Sequence, residues 1–179
     1  VSAFLFNAAG VPDLTTAIAT DTTDANGDYS LTIPTEHQGK PIYIVVDDND
    51  GAASMKCDIA GGCDSDGDGT IDAVFGANLD LAANALTMSA VLAESSASVS
   101  VNVTPLTTVA AEVAKETIAA GVVNEFNIKE AANNANSQVA ERFGLSGDIT
   151  KIEVVDLTNP AEVAAVVGDD AEAVEYAAI

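Results

Sequence analysis

The chain has 179 residues, 48% of them hydrophobic, which is enough to close a core and too apolar for a disordered tail. Its formal net charge of −22, from 28 acidic and 6 basic side chains, argues against nucleic acid and anionic membrane as partners and points to cations. Thirteen of the 17 Asp precede residue 104 and nine lie between Asp47 and Asp80, a clustering that favours specific cation sites over the spread acidity of salt adaptation.

In chain order, residues 1–6 (Val-Ser-Ala-Phe-Leu-Phe) read as a short buried strand, followed by a polar turn through Gly10, Pro12 and Asp13. The run Asp24-Ala-Asn26-Gly27-Asp28 carries a hairpin signal. Beyond it Tyr29, Leu31 and Ile33 alternate with Ser30 and Thr32, the period of a half-buried strand. Turn chemistry accounts for Asp24 and Asp28. Pro41-Ile-Tyr-Ile-Val-Val46 is apolar and β-branched throughout, so it is expected as a strand buried on both faces. With no initiator Met, the chain reads as processed from, or part of, a longer one.

Residues 22–34, Thr-Thr-Asp-Ala-Asn-Gly-Asp-Tyr-Ser-Leu-Thr-Ile-Pro, with an Ile/Val strand a few positions later, are similar to carboxypeptidase regulatory-like and Cna-B-type domains. The resemblance covers the first fifty or so residues and implies a small prealbumin-like β-sandwich that serves as a stalk, spacer or assembly module on bacterial surfaces. It carries over no catalytic residue. In those domains a further strand precedes the one corresponding to Val1–Phe6, and here none does.

The stretch from Cys57 to Asp80 reads as an insertion or edge loop of that sandwich. Asp64, Asp66, Asp68 and Asp72 occupy positions 1, 3, 5 and 9 of a D-x-D-x-D-G-x-x-D loop, with Gly69 at the sixth. A hard cation such as Ca²⁺ takes six to eight oxygens at about 2.3–2.6 Å, and this spacing aims alternate carboxylates at one centre. Gly69 permits the sharp turn, Thr70 offers its main-chain carbonyl, and Ile71 is expected to tuck into an adjoining core. Without a cation the four carboxylates repel, so the loop is expected to open. The loop resembles the calcium loops of dockerins, EF-hands and thrombospondin type 3 repeats. It lacks the bidentate Glu of a full EF-hand, Phe75 standing there, and no amphipathic helix precedes it, so the expectation is a structural calcium site. Water or another acidic residue, such as Asp58, Asp80 or the Asp47-Asp48-Asn49-Asp50 run, is expected to complete the ligand set.

Cys57 and Cys63 are the chain's two cysteines and His37 its one histidine, so a zinc site lacks ligands. The pair is expected to form a disulfide beside the calcium loop, which implies an oxidising compartment and hence secretion or the cell surface. No apolar run is long enough for a membrane-spanning helix.

Residues 85–92 and 98–103 alternate and read as strands, the second with Val99, Val101 and Val103 on one face. After Thr104 the period becomes helical. Thr104 caps a helix that opens at Pro105, with a stripe at Leu106, Val109, Val113 and Thr117 and an end at Gly121. A second helix is expected from Asn127, with Glu130 as capping-box partner and a stripe at Ile128, Ala131, Ala135, Val139 and Phe143. After a linker over 148–157 with a short strand at 152–155, a third opens at Asn159-Pro160, with Val163, Val167, Ala171, Val174 and Ala178 on one face and a bend at Gly168. The segment 102–110 with Phe143-Gly-Leu downstream is similar to a helical region of uncharacterised secreted or lipoprotein-type bacterial proteins.

The expected fold class is α+β: an antiparallel β-sandwich domain at 1–103 carrying the disulfide and calcium loop (57–80), then a helical region at 104–179 of about three helices. His37 lies in a Glu-His-Gln-Gly turn without a partner motif, no nucleophile elbow or nucleotide loop is present, and Trp is absent. The chain is therefore read as non-enzymatic, an extracellular, calcium-stabilised subunit of a cell-surface fibre or matrix. As such it self-assembles into a homo-oligomer or filament by accepting a strand from a neighbouring copy at an open sheet edge. The alternative is a calcium-dependent, adhesin-type ligand-binding module of a larger secreted protein.

Overall fold

The computed structural model describes residues 1–48, 51, 53–80, 87–152, 154–166 and 171–177. Its architecture is mixed α/β with antiparallel strands and, among the described residues, four α-helices. The strands are β1 (Ser2–Leu5), β2 (Ala19–Thr20), β3 (Leu31–Thr32), β4 (Ile42–Val46), β5 (Ser54–Lys56), β6 (Asn78–Asp80), β7 (Met88–Leu92) and β8 (Ser98–Val99). The helices are α1 (Pro105–Ala120), α2 (Glu125–Arg142), α3 (Pro160–Val166) and α4 (Ala171–Ala177). Two compact units result, one from residues 1–46 and 88–152, the other from 47–87 and 153–179. This differs from a division at 103/104: α1 and α2 belong with the sheet, and the acidic loop belongs with α3 and α4.

In the first unit a four-stranded sheet runs in the order β2-β1-β4-β7. The β-branched run at β4 lies between β1 and β7, with Ile42, Tyr43 and Ile44 buried, as its continuous apolarity predicts. Alternation sends Ala3, Ile42, Ile44 and Ala90 into one core cluster with Leu31, Ile33, Val99 and Val101 from the β3–β8 pair and its flanks. From the neighbouring position on β4, Tyr43 meets Phe6 edge to face, with centroids 6.3 Å apart, and its hydroxyl lies 3.4 Å from Glu112 of α1.

Several local expectations change in three dimensions. Asp24 accepts from the N–H groups of Asn26 and Asp28, and Gly27 has φ of 87°, so the turn forms. Its arms do not pair as a hairpin: β2 pairs with β1 and β3 with β8, because Ser30 N–H goes to the Asp21 carboxylate, not to a facing strand. Residues 85–86 lie outside the described residues, and no strand forms at 154–155. Helix α1 starts at Pro105 under Thr104, whose hydroxyl accepts from Thr107 N–H while Thr107 Oγ1 accepts from Thr104 N–H. The stripe it buries is Leu106, Thr107, Ala110, Ala111, Ala114 and Ile118, and Val109 is exposed. Small side chains win this face because α1 packs against both β7 and α2, whose own face is Ala131, Ala132 and Ala135. Asn124, three residues earlier than expected, caps α2 through Asn127 N–H, and Phe143 ends it exposed. In α4 Ala173 is buried and Val174 exposed; Val167, Gly168 and Ala178 lie outside the described residues.

The edge of β7 is not open. Ser89 N–H donates to Thr108 Oγ1 at 3.0 Å, Ser89 C=O accepts from Thr107 Oγ1 at 3.0 Å, and Val91 C=O accepts from Asn136 Nδ2 at 3.1 Å. Side chains of α1 and α2 thus occupy the outward ladder positions that an incoming strand needs, and β2 at the opposite edge is two residues long. The expected acceptance of a strand finds no long template at either end of this sheet.

Thr107 is fully buried and serves both the helix cap and the β7 edge. Thr107→Val, nearly equal in shape, is expected to lower stability by about 1–3 kcal/mol through groups left unsatisfied, read by urea unfolding. Tyr29 donates to Val101 C=O at 2.7 Å, and burial pushes its phenol up from 10.0 to about 12. The folded state therefore holds this proton more tightly than the unfolded chain, so stability is full below pH 10 and falls as pH rises toward about 12. A tyrosinate absorbance titration is expected to show one late step near the top of that window, absent in Tyr29→Phe.

Candidate metal centre

The acidic loop is held by a ladder that starts at β5 and β6, paired through Met55 and Leu79. Beyond the strands Cys57 N–H donates to Ala77 C=O at 2.9 Å and Gly76 N–H returns to Cys57 C=O at 2.8 Å. The final rung joins Cys63 and Ala73, with Cys63 N–H to Ala73 C=O at 2.8 Å. Residues 64–72 project from that neck. Cys57, Ala73 and Leu79 form a small buried cluster with Met55, Cys63 and Ala77 against it, and the Cys57–Cys63 disulfide spans a Cα separation of 5.8 Å. The expected disulfide is therefore present.

Gly62 makes the turn into the neck. Its φ is 92°, and a Cβ there would lie 2.6 Å from Ile71 Cγ2, so the position excludes a side chain twice over. Ile71 rests over Gly62 and is half exposed, in contrast to the core position expected for it; the small cluster of Cys57, Ala73 and Leu79 is built without it.

Within the loop every Asp of the motif accepts from main-chain N–H groups. Asp64 takes Gly67 and Gly69 at 2.8 Å each, Asp66 takes Asp68 at 3.0 Å, and Asp68 takes Thr70 at 2.6 Å. Asp72 reaches back to Ser65, accepting from its N–H at 2.9 Å and its hydroxyl at 2.6 Å, and these bonds hold its carboxyl below the usual carboxylate range. Gly69, with φ of 87°, supplies the bend that folds the loop back on Asp64.

These bonds bring Asp64, Asp66 and Asp72 together: one carboxylate oxygen from each lies within 4.8 Å of the others, and all three residues are exposed. Three oxygens within 4.8 Å of one another lie no more than about 2.8 Å from a common centre, so a closure of a few tenths of an ångström brings them to the distance of about 2.3–2.6 Å at which Ca²⁺ is held, and an all-oxygen donor set suits a hard ion. The cluster can thus hold a metal ion. Asp68 is not in this group, its carboxylate being turned to Thr70 N–H, and Thr70 enters the loop through that N–H. Asp58 and Asp80 also stand outside the group, while Asn49 and Asp50 lie outside the described residues. The contribution of Ser65, which locks Asp72, was not legible in the motif, since position 2 of such a loop carries no assigned role.

His37 sits in the 3-10 turn Thr35–His37, its C=O accepting from Ser95 Oγ at 2.9 Å, a structural role. Among the described residues no helix is long and apolar enough to cross a membrane.

Replacing both cysteines, Cys57→Ala with Cys63→Ala, frees a seven-residue loop. The chain-entropy relation puts the loss at about 2 kcal/mol for the second unit. Hydrogen exchange is expected to speed up at the amides of Cys63, Asp72 and Ala73 while those of β4 keep their protection. Comparison with protein-family models, curated proteins and solved structures finds no match to this chain, so its functional reading rests on its own residues.

Proposed function

We propose that the protein is a non-enzymatic extracellular structural protein, a calcium-stabilised subunit of a cell-surface fibre or matrix. The observation that carries this reading is the carboxylate trio of Asp64, Asp66 and Asp72 on a loop stapled at its neck. Calcium is the ion of choice because it accepts many oxygens in irregular geometry, which a loop of exposed Asp, main-chain carbonyl and water can supply. Rotation of Asp68 away from Thr70 and use of the Thr70 carbonyl would complete the protein's share of the ligands. The disulfide is compatible with an oxidising compartment, and the resemblance of the first fifty residues to surface-protein modules agrees with such a location. Calcium would also offset repulsion between copies of a chain carrying −22. With β7 sealed by α1 and α2, contacts between copies run through surfaces other than that edge.

One observation favours the second reading, an adhesin-type module of a larger secreted protein that binds a ligand in a calcium-dependent way. Residues 59–75 expose Ile59, Ile71, Val74 and Phe75 (59%, 49%, 68% and 46%), large apolar side chains in and beside the acidic loop that a structural calcium site does not need.

Sedimentation velocity and urea unfolding in calcium and in excess chelator separate these readings. At a calcium concentration about 100-fold above its dissociation constant, the second unit should gain about 2.7 kcal/mol. Large regular species that dissociate in chelator are the result expected of a fibre subunit. A monomer with the same calcium-dependent gain leaves the ligand-binding module. No gain in stability overturns both.

A further inference from the structure

In a chain with 28 acidic and 6 basic side chains, two cations, Lys40 and the exposed Arg142 at the end of α2, show no ion pair among the described residues, and of these Lys40 is the partly buried one. Lys56, Lys115, Lys129 and Lys151 each pair with a carboxylate at 2.6–3.2 Å. The ammonium of Lys40 makes no ion pair among the described residues, although its main chain is fixed by Lys40 N–H to His37 C=O and Ser95 N–H to Lys40 C=O. Lys40 is partly buried and lines a cavity of about 410 Å³ in the first unit, between the end of β1, the residues before β4 and the start of α2.

The walls of that cavity are apolar where Phe6, Pro41, Val123 and Ile128 meet. Glu125 also lines it, but its carboxylate is engaged by Lys129 at 3.1 Å, with Lys129 further held by Glu94 at 3.2 Å. The Asn124 side-chain oxygen is likewise committed, accepting from Asn127 N–H at 2.9 Å. What the cleft offers a ligand among the described residues is therefore an apolar wall beside polar groups of Asn7 and Asn124, with the Lys40 ammonium unpaired by any carboxylate. Lys129, shared by Glu94 and Glu125, leaves one negative charge at the α2 side, so a carboxylate is received at the Lys40 side. A cavity of this size, with polar groups of Asn7, Lys40, Asn124 and Glu125 set beside an apolar wall, can take a small amphipathic molecule.

We propose that this cleft binds a small organic acid, its single carboxylate at the Lys40 ammonium and its hydrocarbon body against Phe6, Pro41, Val123 and Ile128. Charge selects that class. A cationic ligand meets Lys40 itself, and a polyanion meets the field of a chain at −22, whereas a monoanion gains one charge-assisted contact and carries its remaining surface into the apolar walls. The inference is independent of the calcium loop, which lies in the other unit.

The test is a two-dimensional amide NMR titration of the full chain with hexanoate and, separately, with 1-hexanol, repeated on Lys40→Met. Saturable shifts with hexanoate at the amides of Phe6, Lys40, Val123 and Ile128 are expected. Binding should weaken by about tenfold or more both for the alcohol and in the variant, the size of a lost charge-assisted contact. Absence of saturable shifts, shifts confined to other regions, or hexanol binding within about twofold of hexanoate overturns the proposal, and the alcohol comparison needs no variant. A Lys40→Met chain with an unchanged spectrum elsewhere and unchanged hexanoate affinity overturns it as well.

Discussion

Repulsion between carboxylates is the constraint on which this structure depends. Six basic side chains cannot neutralise 28 acidic ones, so many of the aspartates turn instead to main-chain N–H groups. Asp13 turns to Thr15, Asp21 to Thr22 and Ser30, Asp24 to Asn26 and Asp28, Asp64, Asp66 and Asp68 to peptides that follow them, and Asp72 back to Ser65. Such bonds favour the ionised carboxylate, as the lowered Asp13, Asp21 and Asp72 show, but they leave its net charge in place. Where the oxygens of Asp64, Asp66 and Asp72 converge, the remaining repulsion is concentrated, and a cation is the natural complement.

The two units meet this constraint with different means. The first has the larger core, with β-branched strands filling one face of the sheet, an alanine-rich helix pair beside β7, and a further cluster of Ile118, Ile128 and Ala131. Among the described residues the second buries Cys57, Ala73 and Leu79 in one cluster and Val155, Val166 and Ala173 in another. A core of that size rarely sustains a fold alone, and small folds of this kind rely on covalent or metal cross-links. The disulfide supplies one, the Lys56–Asp156 pair at 2.6 Å adds a polar tie, and a bound ion on residues 64–72 would supply another.

The strongest local signals were legible in the sequence. The continuous β-branched run gave β4, the Thr104-Pro105 pair gave the start of α1, and the two cysteines gave the disulfide. Less was legible where several partners compete for one group. Val109 fits a helical stripe, yet the face that must approach both β7 and α2 is the alanine face. The Asn26-Gly27 turn forms without its hairpin because Asp21 takes Ser30 N–H, a pairing that no spacing rule announces. At the acidic loop the motif spacing marked the candidate site, whereas the turning of Asp68 to Thr70 and the clasp of Asp72 by Ser65 depend on backbone geometry. Sealing of the β7 edge was equally hidden, since Thr107, Thr108 and Asn136 act there through side chains brought up by helix packing.

The most direct measurement of the central claim is isothermal titration of calcium into chelator-stripped protein, alongside the variant Asp64→Asn with Asp66→Asn. The account predicts saturable binding to the chain that the double substitution abolishes, because it removes two of the three converging carboxylates while keeping their side-chain shapes. Absence of saturable binding, or equal binding by the variant, would contradict it.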